Sequence, residues 1–138
     1  MSTINNYKSN SYSRFLLQFH IIFVCKYRRQ LLNANNISSE VKRLSLEIAQ
    51  KHNVEIRYME TDKDHIHYMI ETKPNINLAN FVKTMKSYIT YHMWQKYTPY
   101  LSKCFWDEHT FFSDGYFLAS IGNVSQEVLK DYIENQGK

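Results

Sequence analysis

The run Asp62-Lys63-Asp64-His65-Ile66-His67 gathers the side chains of this sequence best suited to hold a metal ion. If the run leads into a strand, residues two apart share a face. His65 and His67 then present two imidazoles side by side, with Ile66 turned to the core. Two neutral imidazoles on one face begin a site for a divalent cation. Asp62 or Asp64 could add an oxygen ligand or fix an imidazole tautomer from behind. With six histidines in 138 residues, a His-x-His arises easily by chance. Taken alone, a pair of half-exposed strand histidines is the plainer explanation.

The end of the chain carries a second constellation. Val128, Leu129, Tyr132, Ile133 and Gln136 recur at helical spacing. Tyr132 and Gln136 are four apart, so they share a helix face one turn from each other. A phenol beside an amide oxygen can set a nucleophile next to a metal ligand. An amphipathic helix that packs a tyrosine into the core shows the same pattern.

The elements that must position these groups follow from pattern and punctuation. Residues 14–25 are nearly continuous in Phe, Leu, Ile and Val, as in a central strand buried on both faces. Residues 26–36 form a loop that opens on the basic string Lys26-Tyr27-Arg28-Arg29. A helix follows, capped by Ser38 or Ser39, with Val41, Leu44 and Ile48 on one stripe, and His52-Asn53 ends it. Residues 54–60 alternate as a strand, 61–64 turn, and 65–72 return antiparallel. Leu78, Val82, Met85 and Ile89 mark a helix over 78–97 that Pro99 ends, with Lys83, Lys86, Tyr91 and Lys96 on its other face. Residues 106–121 are aromatic-rich and strand-like, with a turn at Asp114-Gly115. Ser125 caps a last helix reaching about Gln136. The order β-α-β-β-α-β-α is α+β, and its first six elements match the ferredoxin-like (RRM-like) antiparallel sheet with helices packed on one face. With three glycines, two prolines and no linker-like stretch, residues 1–138 are expected to form one domain.

Composition narrows the class. The formal net charge of +4 permits a nucleic-acid partner. Eleven Tyr, eight Phe and two Trp among 17 Lys and Arg suit single-stranded nucleic acid, because aromatics stack on unpaired bases while cations hold phosphates. Lys26, Arg28, Arg29, Lys83 and Lys86 are the candidate DNA contacts. No apolar run approaches the ~18 residues of a membrane span, and the polar start carries no signal-peptide core. A cytoplasmic protein with no membrane partner is expected, with Cys25 and Cys104 as free thiols.

Together, Thr61-Asp-Lys-Asp-His-Ile-His67 and Asp131-Tyr-Ile-Glu-Asn-Gln136 resemble the HUH single-tyrosine transposases of the smallest bacterial insertion sequences, the IS-two-hundred / IS-six-hundred-five group. Lys26-Tyr27-Arg28-Arg29, Phe81-Val82-Lys83, Trp106 and Ser120-Ile121-Gly122 agree as well. The resemblance implies that His65 and His67 bind Mg²⁺ or Mn²⁺ and that Gln136 is the third protein ligand. It also implies that Tyr132 attacks a DNA phosphate to give a 5′-phosphotyrosine and a free 3′-OH. A homodimer is implied, with the tyrosine helix acting in trans on single-stranded DNA hairpins. By ligand type two imidazoles favour softer ions such as Mn²⁺, Zn²⁺ or Ni²⁺ over Mg²⁺. Cys25 stands where the family often has proline, and 106–117 carries extra aromatic and acidic residues, so DNA-sequence preference does not transfer. The alternatives are a non-catalytic single-stranded nucleic-acid-binding module, a domesticated relative that processes repeated palindromes, and a metallohydrolase using His65, His67 and an aspartate.

Overall fold

The computed structural model describes residues 8–9, 14–15, 17–121 and 126–136. Two short strands, β1 (Lys8–Ser9) and β2 (Arg14–Phe15), pair with each other. The main sheet is built from β3 (Leu17–Val24), β4 (Glu55–Thr61), β5 (His65–Thr72) and β6 (Phe117–Ser120) in the order β4-β5-β3-β6, every neighbouring pair antiparallel. This is the expected split βαβ arrangement, with β3 and β5 in the centre. The strand expected over 14–25 is divided, since its first two residues belong to the small β1-β2 pair.

The apolar run of β3 serves both faces of the sheet. Ile21 and Phe23 enter the main core, while Ile22 and Val24, fully buried too, point the other way. In β5 the burial alternates from His65 to Ile70: Ile66, Tyr68 and Ile70 are fully buried, whereas His65, His67 and Met69 are half-buried on the opposite face. The main core lies between the sheet and two helices, α1 (Asn35–Lys51) and α2 (Leu78–Phe105). One polar bond runs through it. Ser45 Oγ donates to the Val41 carbonyl at 2.7 Å and lies 2.7 Å from the hydroxyl of fully buried Tyr68. The serine has a single proton, so the tyrosine donates to it. Ser45→Ala removes that acceptor and is expected to lower stability by about 1–3 kcal/mol, the cost of a buried hydroxyl left unpaired. Urea unfolding checks this, and a change under about 0.5 kcal/mol would contradict it.

Three expectations need correction. The first helix begins at Asn35, with Ala34 at its N-cap, so Ser38 and Ser39 lie inside the first turns. A preceding 3₁₀ turn, Leu31–Asn33, buries Leu31 and Leu32 and delivers the chain into the helix early. Pro99 does not end α2. Tyr97 leaves helical angles (φ −122°, ψ 35°), which relieves the proline ring, and the helix resumes because Leu101 and Phe105 are buried in the core. Finally, residues 106–121 are not one strand. Glu108 N donates to the Phe105 carbonyl at 3.0 Å across a tight turn in which Trp106 holds φ 55° and ψ −120°. Phe111 and Phe112 then fill the core, Phe112 bridges to Cys25, and regular pairing starts only at Phe117.

The last helix, α3 (Gln126–Asn135), lies on the face of the sheet opposite α1 and α2. Leu129 and Ile133 line a cleft there with Ile22, and Tyr132 packs on Phe117. The expected cap Ser125 falls outside the described residues.

Candidate active site

The histidine face of the sheet has a row of cross-strand neighbours, Glu60, His67, Ile22 and Phe117, one from each strand. Such neighbours share a face, so groups distant in sequence meet there. His67 and His65 stand on this row and one step along β5, as the alternation predicted. They line a cleft of about 580 Å³ with Asp62, Asp64, Glu60 and Arg28, and α3 closes it from above.

The two aspartates have different roles. Asp62 Oδ1 accepts from Lys63 N at 2.8 Å and its own amide donates to the His65 carbonyl at 3.0 Å, so it shapes the β4-β5 turn. Asp64 Oδ1 lies 3.0 Å from His65 Nδ1, and its other oxygen accepts from Arg28 Nε at 3.3 Å. That leaves His65 Nε2 as the nitrogen available to a cation, with the carboxylate orienting the ring from behind.

His67 has a partner that sequence reasoning passed over. His20, on β3, places Nδ1 2.9 Å from His67 Nε2, with ring centroids 5.0 Å apart. The ring of Tyr58 meets His67 edge-on at 6.1 Å. Burial holds the His67 pKa below its ordinary value, helped by His20 and His65 and opposed by Glu60. Burial lowers His20 as well. Both rings therefore favour the neutral form that ligates metals. The signal was present in the sequence: a histidine inside the apolar run of a central strand must find a polar partner.

Tyr132 and Gln136 do not line this cleft. The Tyr132 ring packs on Phe117 at 5.5 Å between centroids. Its hydroxyl is buried and, among the described residues, has no hydrogen-bond partner. Burial pushes its pKa up to about 12. Gln136 turns its amide onto Gly115, where a Cβ would sit only 2.7 Å from Nε2 and would push the end of that side chain aside. Among the described residues, no three His, Cys, Asp or Glu side chains converge tightly enough to hold a metal ion. The cleft itself is lined by two imidazoles and by the carboxylates of Glu60, Asp62 and Asp64.

The expected DNA contacts scatter. Lys26 pairs with Asp114 at 3.5 Å, and the Arg29 guanidinium sits 5.7 Å over the Phe105 ring. Lys83 is exposed beside a groove between α2 and residues 109–116. Lys86 is the exception to the expectation. Its ammonium donates to the carbonyls of Ser113, Asp114 and Gly115 at 2.7, 3.1 and 3.0 Å, which engages all three donors and clasps the loop that seats Gln136.

The sheet topology, the paired histidines under a terminal helix and the tyrosine on that helix invite comparison with known proteins. The family described as "Transposase IS200 like" matches residues 13–136. The chain belongs to this family of transposases. The transposase is 26% identical over 122 residues to ISDra2 transposase TnpA of Deinococcus radiodurans, covering 88% of this chain and 85% of that one. It is 26% identical over 129 residues to the transposase for insertion sequence element IS200 of Salmonella typhimurium, covering 94% and 82%. In fold it matches a crystal structure of a candidate transposase from Deinococcus radiodurans, with a TM-score of 0.82, 24% identity, and 93% and 95% of the two chains covered. A REP-associated tyrosine transposase bound to a REP hairpin shares the fold more loosely, with a TM-score of 0.55, 14% identity, and 91% and 67% covered. No helix among the described residues of the transposase is long and apolar enough to cross a membrane.

Proposed function

We propose that the transposase cleaves and rejoins single-stranded DNA at insertion-sequence ends, with Tyr132 as nucleophile and Mg²⁺ or Mn²⁺ held at His65 and His67. The observation that carries this reading is the imidazole pair in a cleft roofed by the helix that bears Tyr132. The donor chemistry fits a divalent cation. Asp64 on His65 Nδ1 frees Nε2, burial favours neutral His67, whose Nε2 would exchange its contact with His20 Nδ1 for the ion, and acidic Glu60, Asp62 and Asp64 line the same cleft. Gln136 is the proposed third ligand. When bound, the ion acts as a Lewis acid on a phosphate oxygen and as a template for in-line attack.

Tyr132 Oη forms a bond to phosphorus, the bond to the 3′ oxygen breaks, and a 5′-phosphotyrosine and a free 3′-OH result. Attack by another 3′-OH reverses the step and joins new ends. Each phosphodiester broken is replaced by another, so no nucleotide cofactor is needed. The Tyr132 phenol is buried with no hydrogen-bond partner among the described residues, and in this chain it faces Phe117 instead of the histidines. Its position away from the histidines supports a homodimer in which the tyrosine helix of one subunit completes the site of the other.

Substrate is taken to be hairpin-bearing single-stranded DNA, with Lys26, Arg29 and Lys83 as phosphate contacts. The trans arrangement is tested by mixing Tyr132→Phe with His67→Ala. Each alone should be inactive, and the mixture should regain cleavage because heterodimers contain one complete site. A mixture as inactive as its components would show that tyrosine and histidines act within one chain.

A further inference from the structure

Arg28 stands between the histidine strand and the last helix of its own chain. It and Tyr27 both hold left-handed backbone angles (φ 53° and 58°), unusual for side-chain-bearing residues, in a turn tied by Arg28 N to the Cys25 carbonyl at 2.8 Å. From this turn the guanidinium reaches in two directions. Nε donates to Asp64 Oδ2 at 3.3 Å, and Asp64 Oδ1 lies 3.0 Å from His65 Nδ1. Nη1 donates to the Glu134 carbonyl at 2.9 Å. That carbonyl belongs to the last turn of α3, where helix carbonyls lack an intrahelical partner and carry partial negative charge. Glu134 is two residues from both Tyr132 and Gln136.

We infer that Arg28 is a positioning residue whose guanidinium couples the orientation of His65 to the seating of the tyrosine helix. The inference rests on the metal and nucleophile roles proposed above. It assigns Arg28 a task different from holding a DNA phosphate. Arginine suits it because the planar fork fixes two donors at once, whereas a lysine ammonium is a single point of charge. The relay runs from the β5 histidine through Asp64 and Arg28 to the C-terminal end of α3. A shift at either end is felt at the other.

The test uses the full chain and three readouts: Mn²⁺ affinity measured with Mn²⁺ alone, amide hydrogen exchange over 126–136, and binding of a single-stranded DNA hairpin. Arg28→Lys keeps the charge and removes the fork. It is expected to weaken Mn²⁺ binding by about tenfold, the scale of losing an outer partner of a metal ligand. Exchange in the last helix should quicken and hairpin affinity should hold. Asp64→Asn, whose side chain bonds only Arg28 and His65 among the described residues, should do the same at both ends. The double variant should be little worse than Asp64→Asn alone, because both changes break one relay. Either single variant serves if the other does not fold. Weakened hairpin binding with unchanged exchange and Mn²⁺ affinity would overturn the inference and make Arg28 a DNA contact. A wild-type chain that binds no Mn²⁺ would instead sink the metal reading, while helix exchange in Arg28→Lys would still report on the contact with Glu134.

Discussion

Replacing His67 by alanine is expected to cut DNA cleavage by about a thousandfold, because the ion that stabilises several kcal/mol of charge at the phosphate loses a ligand. Hairpin binding should survive, since the proposed phosphate contacts, Lys26, Arg29 and Lys83, lie elsewhere. The pH profile of the wild type carries the same information. The fold lowers the His67 pKa, chiefly by burial. The ordinary value is about 6.5, so the ring is neutral at pH 7 and need not lose a proton to act as a ligand. Protonation of His67 should therefore cost Mn²⁺ affinity only below about pH 6.5. The linkage has the same sign for stability. Below about pH 6.5 the unfolded chain binds the proton that the fold resists, so stability drops as the pH falls. Titration of Mn²⁺ across this range checks both statements. A His67 ring that takes up its proton between pH 8 and 7, followed by NMR, would contradict them.

Tyr132→Phe separates chemistry from packing. The account expects covalent capture of DNA to fall by on the order of 10⁴-fold or more, the scale of losing a nucleophile. The fold should nevertheless gain. The Tyr132 hydroxyl is buried with no partner among the described residues, and phenylalanine keeps the ring against Phe117. Removing an unpaired buried hydroxyl relieves about 1–3 kcal/mol of desolvation cost. Hydrogen exchange over 126–136 should slow in the variant. In the wild type the same burial raises the phenol to about 12. An unfolded phenol ionises from about pH 10, so helix seating should weaken between pH 10 and 12. A variant that loses both adduct and helix protection would mean that the hydroxyl holds the helix through a bond formed with the substrate or a partner subunit.

Much of the sheet was legible because period-two alternation leaves little freedom. Ile66, Tyr68 and Ile70 could only face the core, and His65 and His67 then had to share the other face. What sequence could not show was pairing across distance. His20 lies 47 residues from His67, and only the β3-β5 register brings the rings to 2.9 Å between nitrogens. Pro99 misled because local propensity was outweighed by burial of Leu101 and Phe105 beyond it. Lys86 looked like a solvent-facing cation on a helix stripe. Its three carbonyl partners come from a loop 27 to 29 residues later. Helical spacing did place Tyr132 and Gln136 on one side of a helix. It could not say that this side would meet Phe117 and Gly115 while Leu129 and Ile133 turned to the cleft.

The central claim is a covalent bond between Tyr132 and DNA. The most direct test incubates the wild-type chain with a diverse pool of hairpin-bearing single-stranded DNA and Mn²⁺, isolates adducts that survive denaturation, and maps the modified peptide by mass spectrometry. The account predicts a metal-dependent adduct on Tyr132, attached through a 5′ phosphate. Hairpin binding without any adduct, or an adduct on another side chain, would contradict it.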